Sequence, residues 1–243
     1  MMLGPSGAST EGDLQQTDQT DDTVTLWHVS QARSFRILWA LHEAGIPHRV
    51  EYMSFAGKAL RAPDYLAISP AGRVPAVRVD GQTMFESGAI LEYLSETRAP
   101  HLGRAPGHPD RRAFLEWLHY AETLGQHQAQ LTQQHIMLRE DWMRSPTVMR
   151  LEATRLARAL NGVALVVQGQ DWLLPSGFSA VDIAVGYNLH IARRFIRLDQ
   201  IPGLAAYHAR LTARPGFQAA AAADGPGEIY TRDFYEAPDD QPR

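Results

Sequence analysis

The 243-residue chain contains no cysteine. That absence excludes a disulfide scaffold, a thiolate zinc site, an iron-sulfur cluster and any mechanism in which the protein's own thiol attacks. It leaves the redox compartment open. Lysine is nearly as scarce, Lys58 being the only one, so the basic residues are otherwise arginines. Long hydrophobic runs are also missing. No apolar stretch approaches the roughly 18 to 20 residues that cross a bilayer, so no membrane association is expected. Residues 1–22 lack the basic start and apolar block of a secretory signal and read as a polar, disordered leader, which makes the cytoplasm the expected location.

The charge is uneven. Against a net charge of −4, residues 1–22 carry five acids and no base, and residues 224–243 carry six acids and two arginines. The body between them therefore has a surplus of five positive charges. Its bases are scattered rather than gathered into a dense stripe, which suits a small anionic ligand and argues against nucleic acid as a partner.

Residues 23–28 alternate β-branched and aromatic side chains as a strand does. From Arg33 the apolar positions Phe35, Leu38, Trp39 and Leu41 fall on a helical period, and Gly45 followed by Pro47 marks its stop. With residues 48–53 as a second strand, this is a β-α-β unit whose strands pair in parallel. A short helix at 63–67 precedes a hairpin, signalled by Asp80-Gly81 between residues 75–79 and 82–85, and a helix runs from Ser87 to about Glu96. Residues 99–109 hold three prolines and two glycines and form a linker. Beyond them strand signals vanish. Helices are expected over 110–140, with Phe114, Leu118, Ala121 and Leu124 as an apolar stripe, over 146–167, from Ser179, from Pro202 and over 215–223. Residues 224–243 read as an acidic, irregular tail outside the fold. The class is an α/β N-terminal domain, 23–98, followed by an all-α domain, 110–223.

Four short motifs could carry chemistry. Ser69-Pro-Ala-Gly-Arg-Val-Pro75 places a proline at the head of a strand, where a cis bond would turn the Val74 backbone toward a ligand. Glu86-Ser87 opens a helix, where free N–H groups and the helix dipole attract a carboxylate; a plain N-cap would look the same. Ser30-Gln-Ala-Arg-Ser34 puts two hydroxyls and a guanidinium between the first strand and helix, where they can hold a thiolate or merely cap the helix. Ser179-Ala-Val-Asp182 is a capping box, with Asp in the reciprocal position. His119, His127 and His135 recur every eight residues, a spacing that does not match the i, i+4 pairs of helical metal sites, so no metal is expected.

With these motifs in this order, residues 23–223 resemble the cytosolic glutathione S-transferase superfamily, in its bacterial, serine-using or theta-like branches rather than the cysteine-using ones. The carrying segments are Ser34-Phe-Arg-Ile-Leu-Trp39, Ser69-Pro-Ala-Gly-Arg-Val-Pro75, Glu86-Ser-Gly-Ala-Ile90 and Ser179-Ala-Val-Asp182. The resemblance implies a thioredoxin-like glutathione-binding domain, with Pro75 as a cis-proline and Val74 pairing its backbone to the cysteinyl unit. It implies Glu86 and Ser87 as the pair holding the γ-glutamyl end, and Lys58, with Arg73 as competitor, near the glycine carboxylate. Counted back from Arg36, the family's activating serine falls on Ala32, so Ser30, Arg33 and Ser34 all stand as candidates for holding the thiolate.

The implied activity is that of a glutathione S-transferase. Glutathione is a co-substrate whose thiolate attacks a small electrophile, as in detoxification, and the second-substrate pocket is expected at Trp117, Tyr120, Thr123 and His127. Isomerase or peroxidase chemistry on the same site is one alternative and a non-catalytic binding module another. A homodimer is expected from the resemblance.

Overall fold

The computed structural model describes residues 23–238. The leader and residues 239–243 lie outside the described residues. Strands β1 (Val24–His28) and β2 (His48–Tyr52) flank helix α1 (Phe35–Ala44) and pair in parallel. After the one-turn helix α2 (Pro63–Leu66) come β3 (Ala76–Val79) and β4 (Gln82–Phe85), both antiparallel to their neighbours, in the order β2-β1-β3-β4. Helix α3 (Ser87–Thr97) closes this half, and α4 (Arg111–Thr132), α5 (Pro146–Val167), α6 (Ala180–Ala192), α7 (Leu204–Thr212) and α8 (Pro215–Ala223) follow. This is the mixed-sheet and helical architecture that the sequence pattern predicts.

The sheet register positions everything that follows. Trp27 of β1 pairs with Ala76 of β3, and Ala76 pairs with Phe85 of β4. The end of β1, the start of β3 and the end of β4 therefore lie side by side. The segments containing Ser30, Pro75 and Ser87 leave the sheet from one edge of it.

Helix α6 is the hub of the helical half. Twelve of its thirteen residues are buried, which an amphipathic surface helix could not tolerate. Its capping box is formed, and Asp182 goes further than a cap: its carboxylate accepts from the N–H of Leu173 (3.0 Å) and of Ser179 (2.9 Å) and from the Tyr207 hydroxyl (2.7 Å).

Two expectations need correction. Helix α4 stops at Thr132 rather than continuing to 140, widening into a single looser turn at Gln133–Met137, after which the carbonyls of Leu138 and Arg139 accept from the Arg144 guanidinium instead of from a following helical turn. The tail, irregular as expected, is not outside the fold. Ile229 and Tyr235 are buried, Tyr235 donates its N–H to the Arg194 carbonyl, and the Gln31 amide oxygen accepts from the N–H groups of Ile229 and Tyr230. Apolar Ile, Tyr and Phe residues interspersed among the acids anchor it.

Candidate functional site

At the sheet edge the Val74–Pro75 peptide is cis. The loop before it is braced by its own side chains. The Arg73 carbonyl accepts from the hydroxyls of Tyr65 (2.7 Å) and Ser69 (2.8 Å), and Ser69 Oγ in turn accepts from the Arg73 N–H. Burial, opposed by the Ser69 bond, raises the Tyr65 phenol to about 12, so it stays a donor. Gly72, at φ +59°, passes so close over the Leu60 carbonyl that a Cβ there would lie 2.5 Å from it. That contact brings the Arg73 segment against the turn that begins at Lys58. Both side chains are exposed.

Next along the edge, Glu86 is exposed and takes φ +72° as the N-cap of α3, and Ser87 is buried as the first residue of that helix. Ser87 Oγ accepts from Arg36 (2.9 Å), which leaves its single hydroxyl hydrogen available to donate. Together with the first-turn N–H groups this forms a set of donors that a carboxylate can accept from.

The β1–α1 loop presents a different picture. Ser34 is fully buried and its hydroxyl is exchanged with the backbone of Val29, donating to the carbonyl and accepting from the N–H, both at 3.2 Å. It staples the loop and does not face a ligand. Arg33 donates to Glu122 of α4 at 2.7 Å, lying over Gly125, where a Cβ would come within 2.8 Å of the guanidinium. Ser30 Oγ donates to the Asp224 carboxylate at 2.9 Å, and the Gln31 N–H donates to the same carboxylate at 3.1 and 3.3 Å. The His28 ring lies 3.2 Å from Asp224 as well. Gln31 is itself held at φ +64°, its carbonyl accepting from Tyr187 at 3.1 Å.

The tail thus covers this loop. Tyr52 donates to the Ala223 carbonyl, and Glu228 accepts from the Ser54 hydroxyl and the Phe55 N–H, both at 3.0 Å. Beneath the tail remains a cavity of about 170 Å³, lined by Gln31, Phe35, Tyr187, His190, Arg194, Asp224 and Tyr230 among others. Burial raises the phenol of Tyr230 to about 12 and that of Tyr187 higher still, so both stay neutral donors; for Tyr230 burial outweighs the lowering by its bond to Thr132.

The expected second-substrate face requires correction. Tyr120 donates to the Ala159 carbonyl of α5 (2.9 Å), His127 lies 2.7 Å from Glu152 of α5, and Trp117 packs its ring on Tyr120. Tyr120 and His127 serve the α4–α5 contact, Trp117 is half-buried against Tyr120, and Thr123 is exposed beside them. The face of α4 that meets the loop is offset from them and carries Ala121, Glu122 and Gly125. Sequence reasoning overlooked Arg36 and Glu122. The available signal was a charged residue inside the apolar run Phe35-Arg-Ile-Leu-Trp39, which requires a buried partner. Asp224 had no comparable local signal. Among the described residues no group of three or more potential metal ligands is found.

Comparison with known proteins agrees with this fold. Residues 32–97 match the family described as glutathione S-transferase, N-terminal domain. The chain is 36% identical to a maleylacetoacetate isomerase of Rhizobium meliloti over 107 residues, 44% of this chain and 50% of that protein. It is 38% identical to glutathione S-transferase 3 of Schizosaccharomyces pombe over 104 residues, 41% of each. The matched part thus spans half or less of these relatives. The fold is similar over 82% of this chain and 97% of the theta class glutathione S-transferase from Xanthomonas axonopodis pv. citri, solved with glutathione bound, with a TM-score of 0.73 at 24% identity. Residues 32–97 thus match a glutathione S-transferase N-terminal domain, and the mixed sheet with its cis-proline and the helical half that follows have the fold of the solved glutathione transferases.

Proposed function

We propose that the chain is a glutathione transferase of the serine-using, theta-like kind, with residues 23–98 as the glutathione-binding domain joined by 99–109 to the helical domain at 110–223. The observation that carries this reading is the register that aligns Trp27, Ala76 and Phe85 and so sets the Val74 backbone, Ser87 and the head of α1 along one edge. A γ-glutamyl carboxylate placed at Ser87, a cysteinyl backbone along Val74 and a glycine carboxylate toward Lys58 or Arg73 span that edge. Glu86 is available to the ammonium. The thiol then falls at the β1–α1 loop.

A free thiol of pKa about 8.5 is only a few per cent ionised at pH 7. The positive end of α1 and a hydroxyl donor lower that value by favouring the anion. Ser30 is the candidate hydroxyl, since Ser34 is consumed by Val29, and Arg33 adds positive charge. Ser30 serves sulfur when its hydrogen leaves Asp224. The thiolate then attacks a small electrophile admitted through the cavity beside Gln31, and the protein forms no covalent intermediate.

The likeness to a maleylacetoacetate isomerase favours a second reading on the same site, glutathione-dependent isomerisation. Product analysis separates the two, because a conjugating enzyme consumes glutathione and an isomerase returns it. Retention on immobilised glutathione, with a thiolate absorbance that titrates below pH 8.5, is the expected result. Failure of both overturns the reading, and binding without thiol acidification identifies a non-catalytic module instead. We also propose a two-fold homodimer in the cytoplasm, checked by sedimentation and fractionation; no helix among the described residues is long and apolar enough to cross a membrane.

A further inference from the structure

Arg36 lies fully buried in the second position of α1. An isolated buried guanidinium is strongly unfavourable, so its partners carry information. One terminal nitrogen donates both to Ser87 Oγ, at 2.9 Å, and to the Glu122 carboxylate. The other donates to the Ala121 carbonyl at 3.2 Å. The second oxygen of Glu122 takes Arg33 at 2.7 Å. Glu122 thus stands between two guanidiniums. Burial pushes its carboxyl up, but Arg36 and Arg33 outweigh burial and hold it below the usual carboxylate range.

Glu122 already neutralises the guanidinium, and the Ala121 carbonyl takes its other terminal nitrogen. The remaining bond, to Ser87, reaches out of the pair and into the carboxylate site. It fixes the polarity of that serine. With one lone pair filled by a donor that cannot itself accept, Ser87 is left with a hydrogen to give and is presented as a donor at the positive end of α3. Arg36 also adds a fixed positive charge directly behind it. The Arg36 Nε finds no partner, although it is buried, so the guanidinium is oriented by what its terminal nitrogens touch and not by full satisfaction of the group.

We propose that Arg36, clamped by Glu122, is a positioning residue that sets Ser87 as a donor for the α-carboxylate of the γ-glutamyl unit, so that discrimination for that carboxylate depends on a residue of the helical half. The proposal rests on the glutathione-site reading above. It implies that Arg36 acts, through Ser87, on the carboxylate end of the ligand.

The test compares two ligands on the full chain, glutathione and its 4-aminobutyryl-cysteinyl-glycine analogue, which lacks only the α-carboxylate. Two charge-conserving variants are used: Arg36→Lys, whose single ammonium stops one bond short of the nitrogen that reaches both Ser87 and Glu122 and leaves the Ala121 carbonyl without its donor, and Glu122→Asp, which retracts the carboxylate by one methylene. Wild type should prefer glutathione at least tenfold. Each variant should cut that preference at least threefold while binding the analogue within twofold of wild type. Glu122 is partly exposed, so Glu122→Asp decides the matter if Arg36→Lys does not fold. Equal weakening of both ligands, or no change in either, overturns the positioning role. If wild type binds neither ligand, the glutathione-site reading fails and this inference with it.

Discussion

The two ends of the proposed glutathione site differ in what their donors are doing. At the α3 end, Ser87 accepts from Arg36 and keeps its hydrogen for a ligand. At the α1 end, Ser30, Ser34 and Arg33 already donate to Asp224, Val29 and Glu122. One end is prepared for a carboxylate. The other is closed by a segment of the chain itself, with the Asp224 carboxylate resting on the donors a thiolate would use. The difference separates binding from activation: glutathione can be recognised by its ends before its sulfur gains a hydroxyl.

The strongest way to break that contrast is at the prepared end. Ser87→Ala removes a hydrogen bond to a charged group, worth roughly 1.5 to 3 kcal/mol, which corresponds to about ten- to a hundredfold weaker glutathione binding. The pKa of whatever thiol remains bound should be unchanged, because Ser87 does not reach the sulfur end. Titration calorimetry with ultraviolet thiolate titration on the same samples checks both. A thiol that becomes harder to ionise in this variant would show that the two ends are not separable.

The closed end should respond in the opposite sense. Asp224→Ala frees the Ser30 hydroxyl and the Gln31 N–H and removes a negative charge from beside the thiol, so the bound thiol should become more acidic by about one pKa unit. Glutathione affinity should change much less than in Ser87→Ala. Adding Ser30→Ala to Asp224→Ala should cancel the gain, since the liberated hydroxyl is then missing. An unchanged thiol pKa in Asp224→Ala would mean that the tail covers the loop without competing for its donors.

This contrast also marks where the sequence is readable. The open end was legible because it is built from short-range patterns: a proline heading a strand, an Asp-Gly hairpin, and a serine opening a helix. The capping box at Ser179 and Asp182 is local in the same way. The closed end depends on contacts far apart in the chain, Ser30 with Asp224 and Arg36 with Glu122, which no periodicity encodes. Trp117, Tyr120 and His127 illustrate the failure. Their spacing places them along one helix, but which neighbour covers them is decided by the packing of α5, and the polar atoms of Tyr120 and His127 are taken up there.

The gentlest probe of the contrast is acid. His190 lines the cavity under the tail, its ring stacked on Phe35 and 3.1 Å from the His208 ring. Burial, reinforced by Arg193, depresses His190 to about 3 and His208 to about 4. In the unfolded chain both take up protons near pH 6.5. The folded state therefore binds fewer protons between those limits, its stability contribution is intact above about pH 6.5, and it is lost progressively as the pH falls toward 4. Tm should drop on the order of 5 °C between pH 7 and pH 5 from this pair, and less in His190→Phe, which retains the aromatic packing on Phe35 and cannot take a proton. Because the pair backs the covered loop, amide exchange at pH 5 should rise first in residues 28–35 and 224–235. The α3 end, braced by the paired Arg36 and with no histidine in it, should hold its protection. Exchange that rises equally at both ends would remove the distinction between a preformed carboxylate site and a separately gated thiol site.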